Sequence, residues 1–276
     1  MSTTPVRLLL DGKAEAAVSP FDRGLLYGDG LFETVRFVAG SAPLWARHMQ
    51  RLQHGCERLH LPAIDAAQLE SEALCVIDGM AEAVVRITIT RGISERGYRL
   101  PAHPQPTRLV AAFAPPPSPP QDYRDGVAAR LCTLRLASQP LLAGLKHLNR
   151  LEQVLARAEW DDPAVFEGLL CDEAGRVISA TMANLFAVID GVLVTPALDR
   201  CGVAGVARAE ILARGGVQVR DLPLDLLWQA EELFLSSSVR GILPLRTVGE
   251  TAFAPGPHTR ALQQHWRDLG FSGSQA

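Results

Sequence analysis

Ala143-Gly144-Leu145-Lys146-His147-Leu148-Asn149-Arg150-Leu151-Glu152-Gln153 is the stretch on which the reading of this chain turns. Lys13 and Lys146 are the only lysines among 27 basic residues, so a plain positive charge is otherwise carried by arginine. Lys13 follows Asp11-Gly12, a hairpin-turn signal, and is expected to be solvated. Lys146 lies between an apolar approach and a run in which Leu148, Leu151, Leu155 and Ala158 recur at helical spacing. That spacing predicts a helix with those residues as its buried face and Lys146 at or just before its N-terminus. There the macrodipole and partial burial both disfavour the ammonium form. An amine held near neutrality can condense with a carbonyl, which a guanidinium cannot do. A snorkelling lysine beside a core helix fits the same pattern, and position alone leaves both readings open.

The chain has 276 residues, 47% of them hydrophobic, enough for one large or two medium domains with sizeable cores and too apolar for a disordered chain. The formal net charge is -3 with both signs interspersed, so no basic face for nucleic acid is expected. Cys56, Cys75, Cys132, Cys171 and Cys201 are an odd number, widely spaced, with no Cys-x-x-Cys pair. That pattern argues against a disulfide framework and against a structural zinc site, and no metal is expected. Met1 to Pro5 lacks the charged and apolar regions of a signal peptide, and no apolar run approaches the length of a membrane span. A soluble cytoplasmic protein is expected, with no membrane partner.

Strands are expected near Val6–Leu10 and over Leu31–Val38, where period-two alternation puts Glu33 on one face and Phe32, Thr34 and Arg36 on the other. Ser19 to Gly24 reads as a loop. Trp45, Met49, Leu52, Cys56 and Leu59 mark an amphipathic helix over about residues 44–60, with Arg47, Arg51 and Arg58 off the stripe. A second helix is expected over 66–80, then strands over 84–90 and 108–113. Pro115 to Pro120 holds five prolines around Ser118 and reads as a stiff linker without helical potential. The expected domains are therefore 1–114, small and α/β, and 122–276, larger, with 115–121 between them. The second half should hold a strand over 127–136, a β-rich block over 168–195, a helix through about Arg214 and a strand over 217–220. Gly270 to Ala276 looks frayed.

Gly202 to Ala207 brings a flexible backbone to a helix start, where free N–H groups attract an anion such as phosphate. Ser236, Ser237 and Ser238 follow an apolar run and offer hydroxyl donors. With a reactive lysine and an arginine such as Arg51, the set meets the needs of pyridoxal 5'-phosphate: an amine for its aldehyde, donors for its phosphate, and a ring-nitrogen partner.

The sequence resembles the fold-type IV pyridoxal-phosphate enzymes, the class that holds branched-chain and D-amino-acid transaminases and 4-amino-4-deoxychorismate lyase. The likeness covers almost the whole chain. It is carried by Tyr27-Gly28-Asp29-Gly30-Leu31-Phe32-Glu33-Thr34, His48-Met49-Gln50-Arg51-Leu52, Asn184-Leu185-Phe186, Gly202 to Arg208 and the closing serines. Lys146 to Leu155 is its most specific marker and is similar to the lyase branch. The resemblance implies a two-domain α/β (α+β) fold and a homodimer with its active site at the domain and subunit interface. It implies that Lys146 binds the cofactor and moves protons. Arg51, the Val206 and Ala207 backbone, Ser237 and Ser238 would bind the phosphate. Arg96 and Tyr98 fall where the family traps a substrate carboxylate from the partner subunit. Asn149, Glu33 and Tyr27 are further substrate-site candidates.

Two positions depart from the pattern. Ser179 stands where the family has a Glu beside the pyridine nitrogen, five residues before Asn184. A hydroxyl stabilises a pyridinium less than a carboxylate does, which suits elimination better than transamination. Glu33 matches the transaminases, whereas some lyases carry Thr there. A lyase giving 4-aminobenzoate and pyruvate is expected, with a D-amino-acid or branched-chain transaminase as the alternative.

Overall fold

The computed structural model describes residues 6–14, 17–117 and 119–271, and these divide into two compact units. One comprises the described residues up to Pro116 together with Leu145–Asn149, the other Pro117–Gly144 and the described residues from Arg150 onward.

The first unit contains β1 (Arg7–Leu10), α1 (Arg23–Tyr27), β2 (Gly30–Val38), α2 (Trp45–Arg58), α3 (Ala66–Val76), β3 (Glu82–Thr90) and β4 (Arg108–Phe113). Its strands form an antiparallel sheet in the order β1-β4-β3-β2. Leu31, Val35 and Phe37 of β2, with Val85, Ile87 and Ile89 of β3, pack against Met49, Leu52 and Cys56 of α2 and Leu69, Ala73 and Val76 of α3. Each fully buried aliphatic side chain of this kind contributes roughly 1.5–3 kcal/mol. Gly55 permits the close approach of α2 to β2, because a Cβ there would stand 2.8 Å from a Leu31 methyl. Residues 19–24 are not all loop: Asp22 Oδ1 accepts the Gly24 N–H at 2.7 Å and caps α1, a helix too short to show periodicity.

The second unit contains α4 (Pro120–Asp125), β5 (Val127–Leu136), α5 (Leu151–Arg157), β6 (Val165–Asp172), β7 (Val177–Ala180) and β8 (Asn184–Ile189). It continues with β9 (Val192–Pro196), α6 (Val206–Ala213), β10 (Val217–Arg220), α7 (Leu224–Leu227), β11 (Glu232–Ser237), β12 (Gly241–Val248), β13 (Thr251–Ala252) and α8 (Pro257–Asp268). The sheet order is β10-β9-β8-β11-β12-β5-β6-β7, with β13 beside β12. Its core includes Leu169, Leu185, Leu233, Leu235, Leu243 and Leu245. Phe186 and Phe234 lie opposite each other in β8 and β11 and stack at 5.1 Å between centroids. Glu232 of β11 caps α8 by accepting the His258 and Thr259 N–H groups.

Four expectations are corrected. The helix after Lys146 starts only at Leu151, and Leu151 and Leu155 are 74% and 60% exposed instead of forming a buried face. Leu145–Asn149 belongs to the first unit, although the sequence suggested a C-terminal domain running unbroken over 122–276. The reason is pairing: Phe32 N–H donates to the Lys146 carbonyl and Leu148 N–H to the Gly30 carbonyl, each at 3.0 Å, so the segment runs extended beside β2. The proline run also ends in a helix, with Pro120 as the first residue of α4, where a missing N–H costs nothing. Phe271, expected to fray, is buried and stacked on Trp266; residues 272–276 lie outside the described residues.

Candidate active site

In the first unit the alternation of β2 turns Glu33 towards α2, where His48 and Arg51 stand one turn apart. His48 Nδ1 lies 2.6 Å from Glu33 Oε2. Arg51 Nε donates to Oε1 at 2.8 Å and its Nη2 to Oε2. Glu33 and His48 are each 1% exposed. Burial would raise the Glu33 pKa, but the Arg51 charge and the contact with His48 overcome it and hold the carboxyl at about 2. Burial lowers the His48 pKa against the pull of Glu33, and the Lys146 charge adds to the lowering. A neutral His48 then carries its proton on Nδ1, towards Glu33. Glu33 is thus no open substrate contact, contrary to its place among the candidates. Both its oxygens are engaged by His48 and Arg51.

The opposite face of β2 carries the amine. Lys146 Nζ lies 4.2 Å from the centroid of the Phe32 ring. Arg86, which sits across from Thr34 on β3, also places its guanidinium carbon 4.2 Å from that centroid. Ammonium and guanidinium therefore lie no further apart than twice that distance. Among the described residues no carboxylate pairs with Arg86. Lys146 is not at a helix N-terminus as the spacing suggested, since α5 starts only at Leu151; its Nζ lies against the Phe32 ring, and its charge is felt at His48. Asn149 donates from Nδ2 to the Gly28 carbonyl at 3.0 Å and so fastens the Lys146 segment to the turn before β2. Tyr27, at the end of α1, accepts the Gly97 N–H on its hydroxyl at 3.2 Å and packs on Tyr98 with centroids 5.4 Å apart. Arg96 and Tyr98 are exposed, Tyr98 by 84%.

In the second unit Ser236 of β11 lies opposite Asn184 of β8. Asn184 Oδ1 accepts the Gly205 N–H at 3.0 Å, and its Nδ2 donates to the Val203 carbonyl at 2.9 Å. These bonds hold the start of α6 at the end of β11. Among the described residues no side chain caps α6, so its first amides, Val206 and Ala207 among them, can meet an external acceptor. Ser237 follows at the strand end, its Oγ accepting the Arg240 N–H at 3.1 Å, and Ser238 comes next. Ser236 Oγ is buried and finds no hydrogen-bond partner among the described residues. An uncapped helix start beside a buried unpaired hydroxyl and two further serines fits a phosphate group.

Ser179, 7% exposed, lies in β7 opposite Leu170 and leads into a turn closed by the Ala180 N–H on the Ala183 carbonyl. Glu167, buried beneath that turn, accepts the Gly168, Thr181 and Met182 N–H groups and the Thr181 hydroxyl. Burial raises its pKa, against the pull of those bonds.

The sequence reading missed Arg86 and Glu167 and gave His48 no role of its own. Arg86 is one arginine among many on an alternating strand, and nothing local marks the ring it shares with Lys146. His48 was legible in principle, since His48 and Arg51 are one helical turn apart and face an acidic residue on an apolar strand.

The Amino-transferase class IV family matches residues 30–248, which takes in the residues described above in each unit. The chain belongs to that family. Its fold is the two-unit α/β fold of the fold-type IV enzymes. Within the family, the aminodeoxychorismate lyase of Vibrio harveyi is 34% identical over 263 residues, covering 92% of this chain and 97% of the relative. The crystal structure of 4-amino-4-deoxychorismate lyase from Pseudomonas aeruginosa matches at 46% identity and a TM-score of 0.90, over 95% of this chain and 98% of that one. The branched-chain amino acid aminotransferase of Escherichia coli matches at 25% identity and a TM-score of 0.84, over 96% and 95%.

Proposed function

We propose that this class IV enzyme is a pyridoxal 5'-phosphate-dependent aminodeoxychorismate lyase, converting 4-amino-4-deoxychorismate to 4-aminobenzoate, a folate precursor, and pyruvate. The observation that carries the reading is the greater likeness to the two lyases than to the aminotransferase. Lys146 would bind the cofactor covalently; Arg51, the Val206 and Ala207 amides, Ser237 and Ser238 would hold its phosphate, and Ser179 would stand at its ring nitrogen. The cofactor, when bound, supplies an electron sink for the pair left behind when a proton is removed beside the substrate amine.

The chain's own groups do the rest. Glu33 takes the Arg51 side chain at two points and aims the remainder of the guanidinium. Once released by the substrate amine, Lys146 Nζ would be free to remove the proton from the amine-bearing ring carbon. The C–O bond at the neighbouring carbon breaks, Lys146 returns a proton to the departing three-carbon fragment, and the ring becomes aromatic. Atoms balance without an oxidant or an added water. Arg86 is positioned to bind one substrate carboxylate near Lys146, while Arg96 and Tyr98 of a partner copy bind the other. A homodimer is therefore part of the proposal.

The test feeds purified protein with 4-amino-4-deoxychorismate made in situ, beside tubes holding D-alanine or L-leucine with 2-oxoglutarate. Equimolar 4-aminobenzoate and pyruvate without a keto acid is the expected result. Amino transfer without 4-aminobenzoate would replace the lyase reading by a transaminase. Lys146→Ala should abolish both turnover and the visible absorbance of the bound cofactor.

A further inference from the structure

We propose that Arg23 is a positioning residue for the substrate carboxylate, acting by fixing the loop that carries Arg96 and Tyr98. The proposal rests on the reading of those two side chains as the carboxylate clamp. Ser94 to Tyr98 lie between β3 and β4 in neither strand nor helix, so no backbone ladder holds them. Side chains hold them instead. Arg23 is buried, and its Nη1 donates to Ser94 Oγ and to the Gly97 carbonyl, both at 3.0 Å. The Gly97 N–H is bound to the Tyr27 hydroxyl. Both backbone polar groups of the one residue between Arg96 and Tyr98 are thereby taken, which sets the directions in which its two neighbours leave the chain.

Arg23 is itself held from behind. Its Nε donates to Asp29 Oδ2 at 2.8 Å, and its guanidinium lies 4.9 Å from the Tyr27 ring centroid. Arg91 grips both oxygens of Asp29 at 2.8 and 2.9 Å and donates to the Leu59 and His60 carbonyls at the end of α2. The two arginines hold the Asp29 carboxyl below its usual pKa despite its partial burial. Asp29 therefore stays ionised at working pH. A fork with one arm on Asp29 and the other on the loop is a task for a guanidinium; a lysine has a single point charge and can serve one side at a time.

The experiment compares Arg23→Gln, Arg23→Lys, Ser94→Ala and Arg96→Gln holoenzymes in lyase kinetics and in limited trypsin digestion, scored for cleavage after Arg96. Loss of hydrogen bonds to a charged group predicts that Arg23→Gln raises KM about tenfold, with kcat within about twofold of wild type. Its cofactor absorbance should be unchanged and its cleavage after Arg96 faster. Arg23→Lys should restore only part of the KM, and Ser94→Ala should move KM and cleavage the same way by about threefold. If Arg23→Gln does not fold, Ser94→Ala decides. A raised KM in Arg96→Gln with unaltered KM and cleavage in the Arg23 and Ser94 variants would overturn the role of Arg23 and leave the clamp standing. An unaltered KM in Arg96→Gln would remove the clamp, and the proposal with it.

Discussion

Glu33 would matter to the proposed phosphate site without facing it, through Arg51. Its carboxylate is shared by Arg51 and His48 in a nearly dry environment, where removing one partner of an ion pair leaves the other exposed to the full cost of burial. Glu33→Gln should therefore destabilise the fold by about 3 kcal/mol at neutral pH and loosen cofactor binding through Arg51. Acid should reproduce part of this. Glu33 and His48 both have pKa values lowered by folding, so the unfolded chain binds more protons, and stability falls as pH drops. The His48 contribution starts to fade below its ordinary value of 6.5, and that of Glu33 is lost from 4.5 down towards 2. Thermal melts from pH 8 to pH 3 should show this decline, shallower in Glu33→Gln below pH 4.5; parallel curves would contradict it. Ser179 poses the opposite problem. Glu at that buried strand position would have to be desolvated and would pay off only against a protonated ring nitrogen. Ser179→Glu is expected to lower lyase kcat about tenfold while speeding amino transfer, and a large gain in lyase rate would sink the elimination argument.

At the scale of the element, periodicity located most strands and helices but not what covers them. β4, β5 and β10 match their sequence readings residue for residue, because apolar alternation between turn signals is a local property. The face of α5 was misjudged: Leu151, Val154 and Leu155 keep helical spacing yet remain exposed. The strand-like path of Lys146 to Asn149 was illegible for a related reason, since it depends on β2, more than a hundred residues earlier. α8 escaped because its inward face includes Thr259 and Gln263, polar residues satisfied by Glu232, the Tyr123 carbonyl and the Ile242 carbonyl. By contrast, the start of α6 was legible from its glycines. At Gly205 a Cβ would stand 2.0 Å from Asn184 Oδ1, so Gly205→Ala must displace the side chain that fastens α6 beside Ser236. Its holoenzyme should lose the cofactor on dialysis with an affinity about tenfold weaker, measured by the fall in visible absorbance. Unchanged affinity would mean that the α6 amides do not bind the phosphate.

For the whole molecule, the question is whether one chain can complete a site. Arg96 and Tyr98 project from the first unit into solvent, and α5 in the second unit exposes three apolar side chains on successive turns, which a soluble monomer rarely leaves uncovered. Both facts fit the proposed homodimer, in which each copy would lend its clamp to the other, and that arrangement makes a quantitative prediction. A Lys146→Ala protomer lacks the reactive amine but has an intact clamp. An Arg96→Gln/Tyr98→Phe protomer has the amine but lacks the clamp. If the clamp acts across the interface, a mixed dimer contains one site with both parts intact and one with neither. Random reassociation of equal amounts makes half the dimers mixed, so about a quarter of wild-type activity should return. It should be assayed at substrate well below the raised KM of the clamp variant, where each parent alone is nearly silent. If the clamp acted within its own chain, no mixed dimer would hold a complete site and mixing would restore nothing. That outcome would keep the chemistry at Lys146 and move Arg96 and Tyr98 into the subunit that bears it.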